Sequence, residues 1–226
     1  MDQEHAVGAA VETRASRQSA AGKSYLWLKR AFDVAVSGAG IAILFPFLPL
    51  IALAIKLDSK GSVFFSQTRL GKDGKLFTIY KFRTMEHHAA EIRNPDGSKF
   101  VGRNDPRLTR VGRFLRDASI DELPQLWNIL KGQMSVVGPR PDTPGAAGLD
   151  GEDYRRKRSM KPGLTSLASI HGRNAIPWKE RIGWELEYID RASPALDFLI
   201  LCKTAVLVFR REGIYSPNEF GEDKTL

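Results

Sequence analysis

The sequence predicts a membrane-associated α+β fold. It has an N-terminal re-entrant helix broken by proline, a short β-hairpin and several amphipathic or interfacial helices. Three observations predict this. Residues 34–55, VAVSGAGIAILFPFLPLIALAI, carry no charge and contain Pro46 and Pro49. Residues 61–85, GSVFFSQTRLGKDGKLFTIYKFRTM, place β-branched and aromatic runs on either side of the turn sequence GKDG. From residue 105 onward, apolar residues recur at helical spacing. The chain divides into a disordered tail at 1–22, a membrane anchor at 23–60, a main domain at 61–215 and a tail at 216–226.

The tail is polar and small-residue-rich, and Asp2, Glu4 and Glu12 argue against a transit peptide. Tyr25, Trp27, Lys29 and Arg30 lead into the apolar segment and suit an interface. About 20 apolar residues, rising 1.5 Å each, cross a bilayer core of roughly 30 Å. Pro46 cannot donate to the carbonyl of Ala42, nor Pro49 to that of Phe45, so the helix bends or breaks there. Lys29 and Arg30 precede the segment and Lys56 and Lys60 follow it, so neither end is marked for export. A helix that turns at Pro46 and leaves by the face it entered satisfies both ends. A spanning helix, a buried core helix and a cleaved signal peptide are the alternatives. Ala52-Leu53-Ala54 mimics a cleavage site, but the run exceeds the roughly 7–15 residues of a signal core.

After the hairpin, residues 86–104 read as a polar loop. Asp105-Pro106 reads as a helix start, with Leu108, Val111, Leu115 and Ala118 on one face and Arg107, Arg110, Arg113 and Arg116 on the other. A second helix starts near Ser119, with Leu123, Leu126, Trp127 and Leu130 on one face, and stops at Lys131-Gly132. SVVGPRPDTPG is a loop, EDYRRKRSM a basic helix or turn, and PWKERIGWELEYI an amphipathic helix. Residues 195–209 form an apolar helix, too short to span comfortably, that suits either core packing or an interface.

With 34 Lys and Arg against 26 Asp and Glu, the net charge is +8 and the partner is anionic: lipid headgroups, a nucleotide or nucleic acid. The single cysteine, Cys202, excludes an internal disulfide and a cysteine-based zinc cluster, and its apolar setting suits an inert core thiol. The four histidines lack metal-ligand spacing, so any metal takes oxygen ligands and is a hard cation.

The sharpest local motif is SIDELPQLWNIL. Ser119-x-x-Glu122 matches a capping box and puts Asp121 and Glu122 in a first helical turn. Two acids there complement the helix dipole and need do nothing more. A carboxylate at that position also stays ionised, fit to act as nucleophile or metal ligand, and the same terminus attracts phosphate. Arg116 lies just upstream. Arg140, between Pro139 and Pro141, is a pre-ordered fork for phosphate or simply part of a rigid turn. Lys81 and Arg83 share one side of a strand, and Arg173 sits in the turn HGRN, where His171 reads as a local hydrogen-bonding residue.

KRAFDV, the proline-broken segment, GSVFFSQTRLGKDGKLFTIYKFRTM, DPRLTRVGRFLR, SIDELPQLWNILKGQMSVVGPRP, KPGLTS and GRN stand in the order seen in the bacterial sugar transferases. The chain closely resembles these monotopic phosphoglycosyl transferases over residues 29 to about 215. The resemblance implies an enzyme at the bacterial cytoplasmic membrane, its catalytic domain (61–215) facing the cytoplasm. It would pass a sugar-1-phosphate from a nucleotide-sugar donor, UDP-linked by expectation, to undecaprenyl or another polyprenyl phosphate, with Mg²⁺. This would start exopolysaccharide or other glycoconjugate synthesis. Asp121 would be the nucleophile, with Glu122 and Asp121 as metal ligands. Lys81, Arg83, Arg116, Arg140 and Arg173 would surround the phosphates. Lys29 and Arg30 would anchor the broken helix at the headgroups, and Pro46 and Pro49 would break it. The expected partners are donor, lipid acceptor and membrane lipids, without nucleic acid. Phe45, Ser166 and Ser169 depart from the family's usual Ser, Gly and Gln. The rival reading is a non-catalytic basic module that binds membrane surfaces.

Overall fold

A computed structural model describes residues 22–92, 100–145 and 151–215. The tails expected at 1–22 and 216–226 lie outside these residues, apart from Gly22, as does the middle of the 86–104 loop. The fold is mixed helix and small sheet. Helix α1 spans Lys23–Leu44, a tightened turn covers Phe45–Phe47, and α2 spans Leu48–Asp58. Both prolines sit in the opening turn of an element, where an amide N–H has no intrahelical partner to lose. The turn keeps right-handed backbone angles, with Phe45 at φ −52° and Phe47 at φ −88°, so the break is a local tightening. Ser24–Asp58 is long and apolar enough to cross a membrane.

Both halves of this helix pack on the same domain. Lys29 does not reach outward to headgroups: its side chain is 9% exposed and ion-paired with Asp197 at 2.7 Å. Tyr25 and Tyr188 donate to the same carboxylate at 2.8 and 2.7 Å. Arg30 likewise turns inward, donating to the carbonyls of Ile129 and Leu130 at 2.7 and 2.8 Å, the last ones of a short helix. Asp33 is buried and accepts from Ser135 Oγ at 3.0 Å and Val136 N–H at 2.8 Å. At the far end, Ile55 packs with Phe82 and Leu115, and Asp58 accepts from Val111 N–H at 2.7 Å.

Strands β1 (Phe64–Leu70) and β2 (Leu76–Phe82) form the expected antiparallel hairpin, with Leu70 opposite Leu76. Left-handed Asp73 and Gly74 make the turn. Period-two alternation puts Phe77 and Ile79 on the core face with Lys81. Arg83 lies past the strand end and does not join Lys81. Its guanidinium reaches back to the carbonyls of Ser62 at 2.6 Å and Ser59 at 2.9 Å, bracketing the end of α2.

Helix α3 (Arg110–Asp117) starts at Thr109, whose Oγ1 accepts from Gly112 N–H at 2.9 Å, and not at Asp105. Asp105 is buried and consumed by Arg107, which donates to it from its backbone N–H, Nε and Nη2. A Cβ at Gly112 would lie 2.0 Å from the carbonyl oxygen of Thr84. Gly112→Ala is therefore expected to cost about 2–3 kcal/mol, because backbone on both sides must part. Thermal unfolding checks this; an unchanged midpoint refutes it.

The single helix expected from Ser119 is instead a 3₁₀ turn, Ile120–Gln125, followed by α4, Leu126–Leu130. Pro124 lies inside the turn. Trp127, expected on the apolar face, is 48% exposed, whereas Asn128 is buried. Asn128 Nδ2 donates to the Thr78 carbonyl and its Oδ1 accepts from Tyr80 N–H, which joins α4 to the free edge of β2. Strands β3 (Ser135–Val137) and β4 (Gly163–Thr165) pair in parallel. Helices α5 (Glu152–Lys157), α6 (Trp178–Arg191) and α7 (Pro194–Arg210) complete the fold. The core joins Ile79, Ile129, Met134, Val137, Tyr188 and Ile200. Helix α7 buries Ile200 yet leaves Phe198 69% and Phe209 90% exposed. Cys202 on α7 is exposed, not the core thiol expected.

Candidate active site

Chain direction changes sharply after α3. Ser119 adopts φ +55°, a left-handed conformation that is uncommon outside glycine and costs energy unless its surroundings hold it. It makes no cap to its own helix, so the expected capping box does not form. Its Oγ instead accepts from Arg173 Nη2 at 3.2 Å. Ile120 follows, and after it come Asp121 and Glu122.

The two acids have different surroundings. Glu122 pairs with Lys81 at 2.5 Å. Burial opposes its ionisation, but Lys81 and then Arg140 hold its carboxyl well below the usual carboxylate range. Asp121 is 8% exposed, and its carboxylate makes no hydrogen bond or ion pair among the described residues. Burial, reinforced by the Glu122 charge, pushes it up to about 6, against the pull of Lys81, Arg116 and Arg173. An aspartate in a first helical turn is expected to be firmly ionised, but removal from water and a like charge alongside outweigh the helix terminus here.

Arginines surround the pair. Arg116 donates to Thr84 Oγ1 at 2.8 Å and stands close enough to stabilise the Asp121 charge. Arg140 gives its backbone N–H to Glu185 at 3.1 Å, leaving its guanidinium unengaged among the described residues. Arg173 lies just after Gly172, at φ +52°. Glu122, Arg140 and Arg173 open on a cavity of about 240 Å³ whose other wall is apolar, formed by Leu123, Leu164, Leu201 and Leu207. Lys81 reaches this group through Glu122, whereas Arg83 does not. His171 Nδ1 donates locally to the Leu167 carbonyl at 2.8 Å, and its ring stacks on Trp184.

Sequence reasoning missed Arg69. It holds the PRPDT loop through Thr143 Oγ1 at 2.6 Å, and burial followed by the nearby Arg140 pushes it down to about 10. Its Nε is buried without a partner. The alternation of Gln67 and Arg69 along β1 was the available signal. Neither Arg69, Arg116, Arg140 nor Arg173 has a carboxylate ion-pair partner among the described residues, and the site is left with a surplus of positive charge.

Residues 24–211 match the family described as bacterial sugar transferase. The chain belongs to that family. It is 42% identical over 192 residues to the exopolysaccharide production protein PSS of Rhizobium leguminosarum bv. phaseoli, covering 80% of this chain and 94% of that protein. It is 38% identical over 198 residues to the exopolysaccharide production protein ExoY of Rhizobium meliloti, covering 83% of this chain and 88% of that protein. It is 42% identical over 203 residues to the undecaprenyl-phosphate glucose phosphotransferase of Komagataeibacter xylinus, but those residues are 85% of this chain and only 37% of that protein.

In this sugar transferase the available metal donors are few. No group of three or more His, Cys, Asp or Glu side chains converges among the described residues, so an all-protein cage is absent there. Two adjacent carboxylates are present, and one is held back from ionising by burial and then by the other's charge. That pair fits a hard cation that takes its remaining ligands from substrate phosphate and water, the usual habit of Mg²⁺.

Proposed function

We propose that this sugar transferase moves a sugar-1-phosphate from a UDP-sugar to undecaprenyl phosphate through an aspartyl-phosphosugar at Asp121. The observation that carries the proposal is the Asp121 carboxylate, unengaged and poised near neutrality among guanidinium groups that lack acidic partners. Of the two acids it is the better nucleophile: Glu122 is committed to Lys81, and a carboxylate of higher pKa is the more nucleophilic. The activities for which relatives are named, among them the UDP-glucose:undecaprenyl-phosphate glucose-1-phosphate transferase of Escherichia coli, suggest the donor and acceptor classes.

An Asp121 oxygen attacks the phosphorus that carries the sugar. The bond from that phosphorus to the bridging oxygen breaks, and nucleoside monophosphate leaves with the bridging oxygen and its electron pair. A phosphate oxygen of the lipid then attacks the aspartyl phosphorus, breaking the acyl–phosphate bond and restoring the carboxylate. Arg140 and Arg173 bind and orient the phosphates, Arg116 holds the Asp121 charge, and Lys81 fixes Glu122. Glu122 and one Asp121 oxygen would hold Mg²⁺, which when bound neutralises phosphate charge. Positioning and charge neutralisation supply most of phosphoryl-transfer catalysis.

The apolar cavity wall and the exposed apolar residues of α7 suit an acceptor that arrives from lipid. A re-entrant anchor is the reading that both docked ends of Ser24–Asp58 support, since each end packs on the one domain that must stay in the cytoplasm. With Cys202 replaced by serine, Ala20→Cys and Lys60→Cys are both expected to resist an external thiol reagent in intact cells. Labelling of only one indicates a spanning helix.

The test of function is a panel of radiolabelled sugar nucleotides with membranes containing the protein. Without acceptor, sugar label stays on the polypeptide and monophosphate is released. Adding undecaprenyl phosphate moves the label to lipid. Turnover that never labels the polypeptide refutes the covalent route. The first step is also expected to slow below about pH 6, because only ionised Asp121 attacks. A rate flat from pH 5 to 8 contradicts that assignment.

A further inference from the structure

Arg140 and Arg173 lie on separate loops, and neither loop sets its own position relative to the other. The stripe of α6 that faces them holds Arg181, Trp184, Glu185 and Tyr188, spaced one above another along one side of the helix. Arg181 Nη2 donates to the backbone carbonyl of Arg173 at 3.0 Å and to that of Ile176 at 3.4 Å. One turn on, Glu185 Oε1 accepts the backbone N–H of Arg140 at 3.1 Å. In Pro139-Arg140-Pro141 that is the one backbone N–H the three residues possess. Trp184 stacks on His171, two residues before Arg173, with ring centroids 3.7 Å apart. Glu185 is 0% exposed, and its second oxygen is buried without a partner. A buried carboxyl oxygen without a hydrogen bond is costly to the fold. Arg173 is also held in a left-handed conformation that its surroundings must enforce.

We propose that Arg181 and Glu185 are a positioning pair that registers the two phosphate-binding arginines against each other, at the spacing of a diphosphate. This rests on reading Arg140 and Arg173 as phosphate ligands. The helix between residues 181 and 185 is the ruler: each residue grips the main chain of one loop, one helical turn apart, and both arginines line one cavity. Neither residue touches the substrate. Their effect is to favour two linked phosphates over one.

The test uses the full chain in lipid nanodiscs and two probes, inorganic pyrophosphate and orthophosphate, so it does not depend on turnover. The wild-type protein is expected to bind pyrophosphate at least about tenfold tighter than orthophosphate. Arg181→Met and Glu185→Leu should each remove most of that preference while changing orthophosphate affinity less than about threefold. Glu185→Gln, which keeps an acceptor oxygen, should retain it. The pair's effect should be non-additive in the double variant. A preference that survives both variants overturns the proposal. So does a parallel loss of both anions with a lowered unfolding midpoint, which marks a merely structural role. So does a wild-type protein without the preference. Arg140→Met serves as the control: if it binds both probes as the wild type does, the phosphate-ligand reading itself has failed.

Discussion

Asp121→Asn is expected to lower turnover by about 10⁴-fold or more, since the nucleophile is removed. The same variant is expected to be more stable at neutral pH. The sign follows from proton linkage. Folding raises the Asp121 pKa from 3.8 to about 6, so the folded state binds this proton more tightly than the unfolded chain does. The group's contribution is most favourable below about pH 4 and is lost as pH rises through about 6. At pH 7.5 the wild-type protein carries a buried charge it would fold better without, and the asparagine carries none. A gain on the order of 1 kcal/mol, or about 2–4 °C in unfolding midpoint, is expected at pH 7.5. It should shrink at pH 5, where the wild-type carboxyl is largely protonated. A variant that melts below the wild type at pH 7.5, or retains labelled intermediate, contradicts the assignment.

Asp33→Leu should have the largest effect on stability. Asp33 accepts from Ser135 Oγ and Val136 N–H in a site 2% exposed. Leucine leaves both donors buried and unsatisfied, at about 1–3 kcal/mol each, and removes the joint between α1 and β3. A loss of about 3 kcal/mol or more is expected, a large share of a normal domain's stability. The apolar anchor still partitions into lipid, so the variant remains in the membrane fraction while its main domain becomes sensitive to trypsin. Asp33→Asn, which keeps one acceptor oxygen, should be intermediate. Protease resistance equal to the wild type in Asp33→Leu would show that the anchor docks by other contacts.

How much of this was legible depended on how local each signal was. The apolar segment, its two prolines and the hairpin turn are written in neighbouring residues, and the corresponding elements formed where expected. Strands β3 and β4 have three residues each, too few to show a period, and they were missed. The acidic pair was singled out by a capping signature that the fold does not use: Ser119 turns left-handed and serves Arg173. Lys81 followed from strand alternation, but Arg83 did not, because the strand ends at Phe82 and the next side chain is drawn back to Ser59 and Ser62. Lys29 and Arg30 looked like headgroup anchors by residue type, yet tertiary partners claimed both. Arg181 and Glu185 were invisible for the same reason: their partners are main-chain atoms that only the folded chain brings near.

The carboxylate of Asp197 gathers Tyr25, Lys29 and Tyr188, and the span from Tyr25 to it is 172 residues. A ribosome adding about 5–20 residues per second needs roughly 10–30 s to cover that distance. During this time the greasy leader has already left the exit tunnel, while the acid that will receive its lysine has not been made. The nascent protein thus meets the bilayer before it can meet itself. Lipid or a targeting factor must shelter the leader first, and closure of the domain around it comes late, when α7 emerges with Asp197.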